Sequence, residues 1–95
     1  MVDIKYTEHL RLRLIVRKIP ADFPKIIYLS PDQKFLDVSA KNFIAIKKLK
    51  YNEKLRNIMI AYQQNNAEVR ILTIHPISEE KIVNRIISGR WIRNE

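Results

Sequence analysis

The apolar positions along the chain change period twice, and those changes mark its elements. In the first twenty residues Leu12, Ile15, Val16 and Ile19 recur at helical spacing, and Leu10 and Leu14 widen the stripe. The pattern predicts a helix from Thr7 to about Lys18. Thr7 is its N-cap, Glu8 sits near the positive end, and Pro20 closes it. Asp3 to Tyr6, just ahead, reads as a short opening strand. Asp22 opens a second, short helix with Pro24 in its first turn, where the missing N–H does no harm. Phe23, Ile26 and Ile27 share one side of it, and Ser30-Pro31-Asp32 stops it.

From Gln33 to His75 the period becomes that of strands. They run through Phe35 to Val38, Asn42 to Lys50, Leu55 to Gln63 and Glu68 to His75. Asn52-Glu53 and Asn65-Asn66 are the turns, because Asn tolerates positive φ, and such short links make the strands sequential antiparallel neighbours. Simple alternation puts Val69, Ile71, Thr73 and His75 on one sheet face and Arg70, Leu72 and Ile74 on the other. Pro76 forbids a further ladder bond. Ser78 then caps a last helix, with Glu79 and Glu80 in its first turn, a stripe of Ile82, Val83, Ile86 and Ile87, and Gly89 at the C′ stop. The expected architecture is one α+β domain over residues 1–95. It has two N-terminal helices packed on an antiparallel sheet of about four strands, plus a C-terminal helix.

Composition narrows the function classes. The 46% hydrophobic content is enough for a core, and the absence of cysteine excludes disulfides, thiolate catalysis and sulfur-bound metals. It fits a reducing, cytoplasmic compartment. No run reaches the ~18–20 apolar residues of a membrane helix, and the N-terminus lacks the order of a signal peptide. The single glycine leaves no Gly-rich phosphate loop, and neither histidine has a carboxylate at metal-site spacing, so no metal or cofactor is expected.

Charge adds the most. Eighteen Lys and Arg against ten Asp and Glu give +8, which points to a polyanionic partner: RNA, DNA or an acidic protein. His9, Arg13 and Arg17 stand at i, i+4 and i+8, one row along the first helix, and Arg offers phosphate a bidentate donor fork. The plainer reading of that row is a solvated face. Thr73 and His75 end the last strand where a covered face opens, and an imidazole there can act as acid or base; a structural role before Pro76 is the alternative. Lys47, Lys50 and Arg56 make the middle strands basic, either to guard an edge or to line a phosphate groove. Phe43, Tyr51 and Tyr62 are the aromatics among them, with Phe43 assigned to the core. Arg85 and Arg90 extend the positive charge to the C-terminal segment, where Trp91 anchors the tail.

The string His9-x3-Arg13-x3-Arg17-Lys18-Ile19-Pro20, together with Leu55 to Tyr62 and Val69 to His75, resembles a less characterised small branch of the RelE/ParE toxin superfamily. The likeness covers Tyr6 to Pro76. It implies a curved antiparallel sheet, a metal-independent endoribonuclease acting on RNA, commonly messenger RNA at the ribosome, and an antitoxin that blocks the basic surface. It also implies His9, Arg13 and His75 as catalytic residues, with Arg17, Arg56 and Thr73 on the RNA. Lys18 departs from the family pattern, which places Gly after the helix arginine, and the C-terminal tyrosine of RelE-type nucleases is missing. The alternatives are a non-catalytic module binding nucleic acid or an acidic partner, and a small structural protein that forms a homodimer.

Overall fold

The computed structural model describes residues 2–94. The chain runs β1 (Asp3–Tyr6), α1 (Glu8–Val16), α2 (Phe23–Leu29), β2 (Gln33–Asp37), β3 (Asn42–Tyr51), β4 (Lys54–Gln64), β5 (Glu68–Pro76), α3 (Glu79–Ile87) and β6 (Trp91–Arg93). The strands form one six-stranded sheet in the order β1-β5-β4-β3-β2-β6. This overturns the expected two helices on a four-stranded antiparallel sheet. The sheet dominates, and it is mixed, because β1 pairs parallel to β5 from Asp3↔Glu68 to Tyr6↔Ile71. Both extra strands are short edge pieces whose partners lie far away in sequence. The C-terminal β6 returns to β2, pairing Asp37↔Trp91 and Leu36↔Ile92.

Each face of the sheet is covered by helix. On one, Leu10 and Leu14 of α1 and Ile27 of α2 meet Ala45, Ile58, Ile60, Val69, Ile71 and Ile74. On the other, Ile82 of α3 meets Phe35, Ile44, Ile46, Met59 and Trp91. The residues of β4 therefore alternate between two cores, which explains its nearly unbroken apolar run from Ile58 to Tyr62.

The cap of α1 decides which way that helix faces. Thr7 Oγ1 accepts from Leu10 N at 3.1 Å and also donates toward the carbonyls of Ile71 and Leu72. Anchored there, α1 turns Leu10 and Leu14 inward and leaves Leu12, Ile15 and Val16 exposed, so the stripe expected on the latter three is corrected. The helix ends in a Schellman motif, with Ile19 N bonded to Leu14 O and Lys18 N to Ile15 O. Lys18 takes the left-handed φ of 53° that this motif requires, a conformation that glycine adopts without a Cβ penalty. In α2, Asp22 stands at the N-cap without a side-chain cap bond. In α3, Ser78 Oγ accepts from Lys81 N, Ile82 and Ile86 face the core, Val83 and Ile87 face outward, and Gly89 stops the helix at φ 80°.

The β3–β4 hairpin closes on Asn52 and Glu53, at φ 53° and 64°. A bulge corrects the expected alternation in β5. Thr73 opposes Ala61 while Ile71 opposes Tyr62, so Leu72 is the extra residue. Val69, Ile71 and Ile74 consequently share the α1/α2 core, and Thr73 and His75 move to the α3 face. No helix among the described residues is long and apolar enough to cross a membrane.

Candidate functional site

On the α3 face the core stops short of the edge, leaving a recess of about 320 Å³. Its apolar lining is Ile44, Met59 and Ala61 of the sheet, with Ile77 and Trp91 beside them. Polar groups come from three directions: Asn42 from β3, His75 from β5, and Lys81 and Arg85 from α3. Lys81 and Arg85 are one helical turn apart, so α3 presents both on one side.

His75 reaches this recess only because of the bulge at Leu72. Its Nδ1 lies 3.0 Å from the carbonyl oxygen of Pro76. A carbonyl can only accept, so Nδ1 carries the proton and Nε2 keeps its lone pair. Burial pulls the imidazole below its ordinary 6.5; the bond to Pro76 opposes this, and the positive charges of Arg17, Lys81 and Arg13 reinforce it. At neutral pH the ring is uncharged and its Nε2 is free to act as a base.

The floor of the recess is held by Asp37. This carboxylate is 4% exposed and accepts from Ser39 N (3.1 Å), Ala40 N (3.0 Å), Arg90 Nε (3.2 Å) and Trp91 Nε1 (3.2 Å). Burial by itself would raise its pKa, but the Ala40 N–H, Arg90 and Trp91 together hold it below the ordinary 3.8. Arg90 is thereby committed to Asp37. Among the described residues Lys81, Arg85, Arg13 and Arg17 have no carboxylate within ion-pairing distance and remain available to an external anion.

The row on α1 forms as its spacing implies. Arg13 Nε approaches His9 Nε2 at 3.4 Å, and both Arg13 and Arg17 are close enough to His75 to act on its charge. The carbonyl of Arg17 accepts the Tyr51 hydroxyl, which ties the end of α1 to β3. His9 is exposed and does not line the recess. Thr73 is half-buried on the α3 face, opposite Ala61.

The remaining candidates lie apart. Lys47 points to the α2 side, paired with Asp32 at 3.7 Å and Ser30 Oγ at 3.3 Å. Lys50 is exposed near the hairpin end, and Arg56 binds the Tyr51 carbonyl there at 3.3 Å. Tyr62 is buried between Phe43 and Tyr28, so it is a core aromatic. A larger recess of about 560 Å³ lies beside Tyr6, Arg11 and Lys25, but it contains no histidine, and its tyrosine hydroxyl is already donated to Ala21 O at 2.7 Å.

Sequence reasoning missed Asp37, Asn42 and Lys81. Lys81 was legible as the residue four before Arg85 on the last helix. Asp37 carried a fainter signal, as an Asp opening the turn to Ala40. Among the described residues no group of three His, Asp or Glu is arranged to hold a metal ion. Compared with protein-family models, curated proteins and solved structures, the chain gives no significant match.

Proposed function

We propose that this protein is a toxin-like endoribonuclease that needs no metal and cleaves RNA through the RNA's own 2′-hydroxyl. The observation that carries the reading is His75: its Nδ1 is bonded to the Pro76 carbonyl, which leaves Nε2 free, burial disfavours the charged imidazole, and the positive charges of Arg17, Lys81 and Arg13 act on it. Such a group takes a proton efficiently at neutral pH.

In the proposed step Nε2 of His75 accepts the 2′-hydroxyl proton, and the 2′-oxygen attacks the adjacent phosphorus. The P–O5′ bond breaks, the 5′-oxygen is protonated from water, and a 2′,3′-cyclic phosphate remains. Arg13, Arg17 and Lys81 stabilise the extra negative charge on the pentacovalent phosphorus, a contribution that depends on position and electrostatics rather than a fixed triad. His9 acts through Arg13, whose guanidinium it orients.

The test is primer extension on a message being translated in a cell-free system, with and without the purified protein. Discrete new 5′ ends, absent with Arg13→Ala and His75→Ala, support the reading, and cleavage of free RNA by the purified protein in EDTA checks that no metal takes part. An intact message on and off the ribosome overturns it and leaves a polyanion-binding module.

A further inference from the structure

We infer that the recess between α3 and the sheet is a nucleotide pocket, which takes one nucleoside phosphate of single-stranded RNA with its base inward and selects bases whose free edge carries carbonyl acceptors. The inference rests on the ribonuclease reading for the choice of RNA, and it adds where the base goes and which bases fit.

Three observations converge on it. A cavity of about 320 Å³ lies at the small end of the ~300–1,000 Å³ range of small-molecule sites, which suits one nucleotide rather than two. At its inner end Ile44, Met59 and Ala61 are apolar and only 2%, 5% and 7% exposed, so a ring that enters meets their edges, whereas a bare phosphate would gain nothing there. Its cations, Lys81 and Arg85, lie on one side of α3 and provide for the phosphate that a nucleotide brings with its base.

The hydrogen-bonding groups are lopsided. Asn42 Oδ1 already accepts from Gln63 Nε2 at 3.2 Å, so its amide hydrogens are what it has to offer. Lys81 and Arg85 can only donate. The one carboxylate, Asp37, is saturated by Ser39, Ala40, Arg90 and Trp91. A base edge with carbonyl oxygens, as in uracil or guanine, meets donors. Among the described residues the one free side-chain acceptor in the recess is His75 Nε2, and the proposed reaction commits it to the 2′-hydroxyl, so the amino group of adenine would be buried against donors without an acceptor of its own.

The protein contains its own reporter. Trp91 is the only tryptophan in the chain, and it lines the recess. Titrating the intact protein at pH 7 with uridine, guanosine and adenosine 3′-monophosphates and with inorganic phosphate, by Trp91 fluorescence and calorimetry together, tests the inference. The uridine or guanosine nucleotide should saturate at about tenfold lower concentration than the adenosine nucleotide, and inorganic phosphate should bind more weakly still. Ala61→Phe, which fills the recess, should abolish nucleotide binding; should that variant not fold, Asn42→Asp supplies an acceptor and should shift the preference toward adenine. Equal affinity for phosphate and nucleotides, no binding of any of them, or a preference unmoved by both variants overturns the pocket. Cleavage of RNA without mononucleotide binding would remove this inference alone. Binding without cleavage would leave the pocket and remove the ribonuclease.

Discussion

Asp37 and Trp91 face each other across the β2–β6 ladder, and the indole Nε1 donates to the Asp37 carboxylate at 3.2 Å, although fifty-four positions separate them in the chain. This one buried acid joins the C-terminal strand to the sheet, seats Arg90 and sets the floor of the recess.

Asp37→Ala should therefore destabilise the fold by about 2–3 kcal/mol. It leaves a buried indole N–H and the turn amides without their acceptor, while the partly exposed Arg90 recovers hydration. Urea denaturation of the two proteins measures it. The pH dependence follows from the depressed carboxyl. Its stabilisation is complete above the unfolded value of 3.8 and fades as pH falls through the lower folded value, a limb that Asp37→Asn should lack.

His75→Gln should lower RNA cleavage about 10²–10⁴-fold, the usual contribution of a positioned base, with little change in thermal midpoint. In the wild type kcat/KM should rise with pH and level off, with the midpoint below 6.5, because the folded site disfavours the charged imidazole. A rate unmoved by the substitution, measured on a synthetic RNA, would take His75 out of the reaction.

Arg85→Ala should weaken single-stranded RNA binding and reduce the slope of log K against log salt by about 0.7, one phosphate contact fewer. Lys47→Ala, which removes a lysine already paired with Asp32 on the α2 side, should leave that slope unchanged. Filter binding across a salt series distinguishes the two.

Lys18→Gly should raise stability by up to about 1 kcal/mol, since the Schellman motif holds this residue at φ 53° and glycine adopts that region without a Cβ penalty. Thermal or urea unfolding reads it directly. A loss of stability would mean that the Lys18 side chain contributes more than its backbone strain costs.

The elements governed by near neighbours were legible in the sequence. Thr7, Ser78 and Gly89 act within one helical turn of themselves, and Asn52-Glu53 needs only two positive φ values to close its hairpin, so local chemistry sufficed to place them. The i, i+4 row of His9 and Arg13 is likewise a property of any helix. The tertiary structure decided what depends on distant partners. Which side of α1 is buried follows from Thr7 docking on the carbonyls of Ile71 and Leu72, because Leu12, Ile15 and Val16 are as apolar as Leu10 and Leu14. Asp3 to Tyr6 was legible as a strand, but its parallel place beside β5, like the return of β6 to β2, is a pairing between distant segments that carries no local signature. The bulge at Leu72 had the largest consequence for function. One extra residue in a period-two strand reverses every face after it, and that reversal moves His75 from the α1/α2 side to the recess with Lys81 and Arg85.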